Sequence, residues 1–408
     1  MSSIKPQTLK GFRDFLPIEA RKRQYAINAL KGVFESYGFE PLETPALEYE
    51  EILLGKYGDE GDKLMYRFED NGKRKVALRY DQTVPLARVV AQYQNSLPVP
   101  FKRYQIQPVW RAENTQKGRF REFLQCDADT VGSSSVLSDL EILACVNAAM
   151  KKLGFQDFSI LVNSRKVFDM FGANKKIVSI LDKEEKIGKD EVLRLLSEVM
   201  ESDRKAEKFY NNIKNLQPEN IPDRLKEILK KSDELNLFPA FFLARGLDYY
   251  TDLIFEVRVP KYKGGSVCGG GRYDNLIGLF SGKQIPAVGF AFGFDRLIEA
   301  MDELNLFPKD LTTTKVLVTV FSMELGQESI DLATTLRAKG INTELWLDSQ
   351  TKLEKQLKYA DAKGIPYAII VGPSEIKNNT LTIRNMKTRE QITIASKDVL
   401  RKIKNTNF

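Results

Sequence analysis

The run Arg103-Tyr-Gln-Ile-Gln-Pro-Val-Trp-Arg-Ala-Glu113, a basic linker over 114–119, and the run Phe120-Arg-Glu-Phe-Leu-Gln-Cys-Asp-Ala-Asp129 decide how this chain folds. Both arms alternate with the period of two that belongs to a β-strand. On the first arm Arg103, Gln105, Gln107, Val109 and Arg111 share one face, against Tyr104, Ile106, Pro108 and Trp110. On the second, Phe123, Gln125, Asp127 and Asp129 oppose Leu124, Cys126 and Ala128. Each arm therefore has an apolar back and a face of fixed polar groups. The linker is too long and too basic for a tight turn, which suggests a loop that grips a ligand. Arginines and carboxamides aimed off one side of a hairpin point to an anionic substrate.

Around the hairpin the pattern is that of a mixed domain. Residues 18–36 read as an amphipathic helix with Ala26, Leu30, Val33, Phe34 and Tyr37 on one stripe and Gly38 as its stop. The run Phe39-Glu-Pro-Leu-Glu-Thr-Pro45-Ala-Leu-Glu48 reads as extended, since each proline bars helix at the residue before it. Strands are expected over 65–69, 75–80, 101–111, 120–130 and 158–163, with a helix over 137–153. From 168 to 237 the chain turns rich in Lys, Glu and Asp and helical in pattern, as a helical insertion would be. Strand patterning returns over 241–258 and 264–294. After a break near Phe307-Pro308, apolar runs at 316–321, 342–347 and 367–371 alternate with helical segments at 325–339 and 351–363. That alternation predicts an α/β module with a mainly parallel sheet.

Bulk properties narrow the function classes. The 408 residues are 42% hydrophobic and 29% charged, ordinary values for a globular chain of two or three domains. No apolar run approaches the roughly 20 residues that cross a bilayer, and the first residues lack the apolar core of a signal peptide. Cys126, Cys145 and Cys268 are widely spaced, which suits reduced core thiols in a cytoplasmic protein. Residues 313–408 hold 15 Lys+Arg against 10 Asp+Glu, most of the net charge of +7, so a nucleic-acid partner is permitted without being demanded. The chain contains no histidine. Ser-His-Asp and Cys-His systems, imidazole metal sites and histidine bases are thereby excluded.

Four further segments carry polar chemistry. Asp81 and Thr83 stand at the end of a strand; Arg245, Asp248, Tyr249 and Tyr250 fall within seven residues. The run Gly264-Gly-Ser-Val-Cys-Gly-Gly-Gly-Arg-Tyr-Asp274 is glycine-rich, with neither a dinucleotide nor a P-loop signature. Its glycines are expected to bring backbone close to a ligand. In Gly289-Phe-Ala-Phe-Gly-Phe-Asp-Arg296 a glycine-kinked strand enters a helix, with Arg296 near the helix start, where an anion is also favoured.

Taken in order, Pro45, the Val109–Glu113 and Arg119–Phe123 arms and the Gly289–Arg296 run resemble motifs 1, 2 and 3 of the class II aminoacyl-tRNA synthetases. Arg-Gly-Leu-Asp-Tyr-Tyr-Thr at 245–251 and Gly-Gly-Gly-Arg-Tyr-Asp at 269–274 resemble the two signature motifs of histidyl-tRNA synthetases. The resemblance runs along the whole chain. It implies an α+β catalytic domain on a mostly antiparallel sheet at 1–167 and 238–311, a helical insertion domain at 168–237 and an α/β anticodon-binding domain at 312–408. It also implies a cytoplasmic homodimer, with no membrane association, that joins L-histidine to tRNA(His) at the expense of ATP with Mg2+. No organic cofactor and no metal held by protein side chains is expected.

Carried over by position, Arg111 should bridge the histidine carboxylate and the α-phosphate, and Arg245 should approach the α-phosphate from the other side. Arg121 and Arg296 match γ-phosphate contacts, Glu113 the adenine-edge contact and Phe123 the ring stacked on adenine. Asp81, Thr83 and Gln125 match contacts to the α-amino group, with Tyr249 and Arg245 also expected among the histidine-binding residues. Asp129 and Tyr250 match the groups that read the imidazole nitrogens; many bacterial members carry Glu where Asp81 and Asp129 stand. A catalytically silent paralogue serving as a regulatory subunit of histidine biosynthesis is the alternative. It typically lacks the C-terminal module, and its signature motifs are degraded. A synthetase without histidine could also be made during histidine starvation, although compositional drift would leave the same sequence.

Overall fold

The computed structural model describes residues 4–405 apart from 57, 116–118 and 246–248. It comprises two compact units, Met1–Phe307 and Pro308–Phe408.

The first unit is organised by an eight-stranded sheet in which the hairpin lies next to one edge. From that edge the strands run Glu40–Pro41, Phe101–Trp110, Glu122–Val131, Ala287–Gly293, Cys268–Arg272, Leu253–Arg258, Ser159–Ser164 and Leu237–Pro239. Only the two edge pairings are parallel; the five between them are antiparallel. Within the hairpin Arg103 sits opposite Asp129, Gln105 opposite Asp127, and Gln107 opposite Gln125. Directly opposed residues share a face, so the register merges the two polar faces into one.

Helices Pro17–Ser36 and Val136–Lys152 cover the apolar back. Pro17 starts the first helix, where its missing N–H costs nothing, and Ala26, Leu30, Val33 and Phe34 are buried. The Phe34 ring packs 5.8 Å from Phe290 and 5.7 Å from Tyr104. Gly38 takes a φ of +76° just past the helix end, the conformation for which glycine is suited. Helices between Arg165 and Leu235, among them Lys175–Leu181, Glu184–Met200 and Asp203–Lys214, fill the stretch that reads as helical. Leu181, Leu196, Tyr210 and Ile228 belong to the same continuous core as the sheet.

Two expectations change. The extended reading of 241–258 holds only from Leu253; the residues before it, where described, form no strand, and they carry site groups. Of the 264–294 stretch, Cys268–Arg272 and Ala287–Gly293 are strands, separated by the short helix Gly278–Ser281.

The second unit holds a five-stranded sheet ordered Thr343–Leu345, Val316–Val318, Tyr367–Ile370, Thr380–Asn385, Gln391–Ala395. The first three strands are parallel, as the alternation with helices requires. The last two are antiparallel additions, so the sheet is mixed and not mainly parallel. Their polar, half-exposed sequence lacks the apolar run that marks the buried strands.

Candidate active site

A cavity of about 420 Å³ opens on the polar side of the large sheet. It gathers Asp81, Thr83, Arg111, Glu113, Phe123, Gln125, Asp129, Arg245, Tyr249, Tyr250 and Arg296 from segments far apart in the chain. Arg121 is the exception among the expected groups. Its main-chain N–H donates to Gly11 (2.9 Å), its Nε donates to the Glu113 carbonyl (3.1 Å), and its side chain lies across Gly11. Gly11 has a φ of +88°, and a Cβ there would fall 2.7 Å from Arg121 Cγ. The cavity instead takes in Arg119, Phe120, Tyr273 and Asp295, which the sequence reading left without a role. Linker residues 116–118 and signature residues 246–248, with Asp248, lie outside the described residues.

At one end the site is cationic and aromatic. The Arg111 guanidinium lies 4.3 Å from the Tyr80 ring and 5.1 Å from the Phe123 ring, and its Nε donates to the Tyr80 carbonyl at 3.1 Å. Such stacking holds a cation without neutralising it. Arg296, in the first turn of helix Phe294–Glu303, donates to the Ser266 carbonyl at 3.3 Å. Burial, and then the neighbouring charge of Arg119, hold its pKa below the usual range. Asp295 beside it is claimed by Arg23 at 2.5 Å and Arg13 at 2.9 Å, and the Arg13 guanidinium stacks 3.2 Å from the Phe120 ring. The segment 11–15 thereby ties the start of the second arm to the helix that carries Arg296.

The other end is acidic and phenolic. Asp129 is 3% exposed, takes the Tyr273 hydroxyl as a hydrogen-bond donor and pairs with Arg103 at 2.7 Å. Burial raises its pKa, against the pull of Arg103 and Tyr273. Burial also pushes the Tyr250 phenol up to about 12, so it stays protonated and can donate. Tyr249 packs edge-on to both Tyr250 and Tyr273, at 5.0 Å and 5.8 Å. The Asp81 carboxylate accepts from the N–H groups of Thr83 and Val84, both at 3.1 Å, at the start of helix Thr83–Gln92. These two bonds from otherwise unpaired N–H groups of the first turn hold the carboxylate at the cavity wall.

Not all of the hairpin's polar face serves the cavity. Gln105 donates to Thr44 (2.8 Å) and Gln107 (2.6 Å), and Arg79 donates to Gln107 (2.9 Å) and the Thr44 carbonyl (2.6 Å). Arg103, Gln105 and Asp127 are buried and take no part in the lining. Two glycines of the sheet also make room within the site. A Cβ on Gly271 would lie 2.8 Å from Tyr250 Cδ1, and one on Gly289 1.9 Å from Asp129 Oδ1. These glycines clear space for the site's own side chains, whose atoms already occupy it.

Three comparisons bear on this geometry. A family profile described as histidyl-tRNA synthetase matches residues 11–297, and one described as an anticodon-binding domain matches 315–406. A protein of Cytophaga hutchinsonii named histidine–tRNA ligase is 39% identical, with 98% of this chain and 99% of its own length covered. One of the same name from Christiangramia forsetii is 40% identical, covering 95% and 96%. The crystal structure of histidyl-tRNA synthetase from Nostoc sp. PCC 7120 superposes with a TM-score of 0.84 at 30% identity, covering 99% of this chain and all of that one.

Proposed function

The chain belongs to the histidyl-tRNA synthetase family, and on that premise we propose how its cavity activates histidine with ATP and passes it to the 3′ end of tRNA(His). The observation that carries the reading is the convergence of Arg111, Arg119, Arg245 and Arg296 on one cavity whose far end is lined by Asp81, Asp129 and Tyr250. Like charges crowded at one end call for a polyanion, and a triphosphate meets that need. The acidic end suits an ammonium group and a ring bearing two nitrogens.

The chemistry needs no protein base. The histidine carboxylate is ionised at neutral pH and attacks the α-phosphorus; the bond to the β-phosphate oxygen breaks, and pyrophosphate leaves with the electron pair. The protein must align the reactants and stabilise charge spreading over the phosphoryl oxygens. Arg111 and Arg245 do this from two sides, Arg296 with Arg119 receives the outer phosphates, and Phe123 and Glu113 hold the adenine. ATP enters as its Mg2+ complex, the ion being part of the substrate. Asp81, Thr83 and Gln125 bind the α-amino group beside Tyr249, while Asp129 and Tyr250 bracket the imidazole. An analogue lacking one ring nitrogen would leave a buried polar group unpaired, which rejects it. In the second step the terminal tRNA hydroxyl attacks the acyl carbon, its proton passes to the departing phosphate, and AMP leaves with the electron pair of the broken acyl–oxygen bond.

The regulatory-paralogue reading has less support. Relatives named histidine–tRNA ligase match the chain along nearly its full length, and the C-terminal anticodon-binding match is present. No helix among the described residues is long and apolar enough to cross a membrane, and the three cysteines are buried thiols, in keeping with a cytoplasmic setting. The test is ATP–pyrophosphate exchange across the amino acids. Exchange should depend on histidine; histidine binding without exchange in the presence of ATP and Mg2+ defeats the enzyme reading.

A further inference from the structure

Arg245 is held in a way the reaction scheme does not explain. Its φ is +60°, a left-handed conformation uncommon outside glycine, so the main chain is set by its surroundings. Just before it, the Ala244 N–H donates to Asp182 (3.0 Å) and the Ala244 carbonyl accepts from Arg165 (3.3 Å). The guanidinium then enters a slot in the sheet. Gly269 forms the floor: a Cβ there would lie 2.3 Å from Arg245 Nη2. Glu256, paired directly across from Gly269, forms the wall, and its Oε2 meets Arg245 Nη1 at 3.2 Å. Arg258, two residues along the same strand, takes the other oxygen, Oε1, at 2.6 Å.

We propose that Glu256 is the positioning residue for Arg245, fixing the guanidinium over Gly269 so that it faces the α-phosphate before ATP arrives. Glu256 is not part of the cavity lining and touches no substrate in this reading. It acts through Arg245, and the proposal rests on the adenylation role given to Arg245 above. An unheld arginine samples many rotamers, and gathering it in the transition state would slow the chemical step. Arg258 leaves Glu256 one free oxygen with one direction, so the carboxylate cannot turn away from the slot. Held in this way, Arg245 adds rate more than affinity for histidine, since Asp81, Thr83, Gln125 and Asp129 bind it from other elements.

Glu256→Gln keeps shape and removes the charge. In the full-length protein it should lower kcat of histidine-dependent exchange about tenfold while KM for histidine moves less than about twofold. Arg245→Ala should lower kcat further, and adding Glu256→Gln to Arg245→Ala should then change nothing. Unaltered kcat in Glu256→Gln, or an equal loss in both backgrounds, would overturn the proposal. Unfolding midpoints of the same four proteins test the pair without activity: coupled shifts support the ion pair and additive shifts refute it. Should the parent protein show no histidine-dependent exchange, the adenylation reading falls, and those midpoints still decide whether Glu256 holds Arg245.

Discussion

Asp127 stands on the polar face of the second arm, yet only 1% of it is exposed, and its Oδ1 has no hydrogen-bond partner among the described residues. Burial pushes its pKa well above the carboxylate range; the Arg103 charge opposes this and the Asp129 charge adds to it. Between the ordinary carboxylate pKa and that raised value, the folded chain keeps a proton that the unfolded chain has released. Stability must therefore fall as pH rises through the window, by up to about 1.4 kcal/mol per pH unit. Asp127→Asn should flatten that slope in urea denaturation series at stepped pH; parallel curves for parent and variant would show that Asp127 titrates normally. At this scale the sequence was half legible. Alternation told which side Arg103, Gln105 and Gln107 face, but that protein covers them is set by Thr44, Gln82 and Arg79, which are remote in the chain.

Elements read better where the pattern is periodic and worse where a site interrupts it. The 18–36 reading falls within one residue of Pro17–Ser36, and the hairpin arms within two residues of Phe101–Trp110 and Glu122–Val131. By contrast, most of the 241–258 strand disappears, because Arg245, Tyr249 and Tyr250 are presented from irregular backbone. Strand Ala287–Gly293 shows what a glycine does inside a sheet. Gly289 pairs with Asp129, and a Cβ there would also come within 2.8 Å of the Ala128 carbonyl oxygen. Since backbone cannot yield cheaply, Gly289→Ala should push the Asp129 carboxylate aside. KM for histidine in exchange should rise about tenfold, more than KM for ATP. Unfolding should cost about 1–3 kcal/mol less than in the parent, as overpacked cores do. Equal effects on both KM values would mean that the site deforms as a whole.

For the whole molecule, two compact units correspond to the two profile matches, and each has its own sheet. A homodimer, which the family resemblance implies, is a proposal at this scale. Leu47, Tyr49 and Phe68 are exposed on the small sheet of Leu47–Tyr49, Lys75–Leu78 and Arg67–Glu69, just after Pro45. An exposed aromatic and aliphatic face of this kind suits an interface between copies. Light scattering should give twice the chain mass for the parent and one chain mass for Tyr49→Asp with Phe68→Asp; a monomeric parent would remove the dimer from the scheme. Taken alone, the sequence determined the hairpin and its two faces, the order of the motifs and the family, because these follow from local periodicity and residue identity. Tertiary structure decided that Arg121 turns to Gly11 while Arg119 enters the cavity, that half the polar face is scaffold, and that Glu256 meets Arg245 across Gly269. Those outcomes depend on which strands become neighbours, and neighbours in a sheet are chosen by packing between residues far apart along the chain.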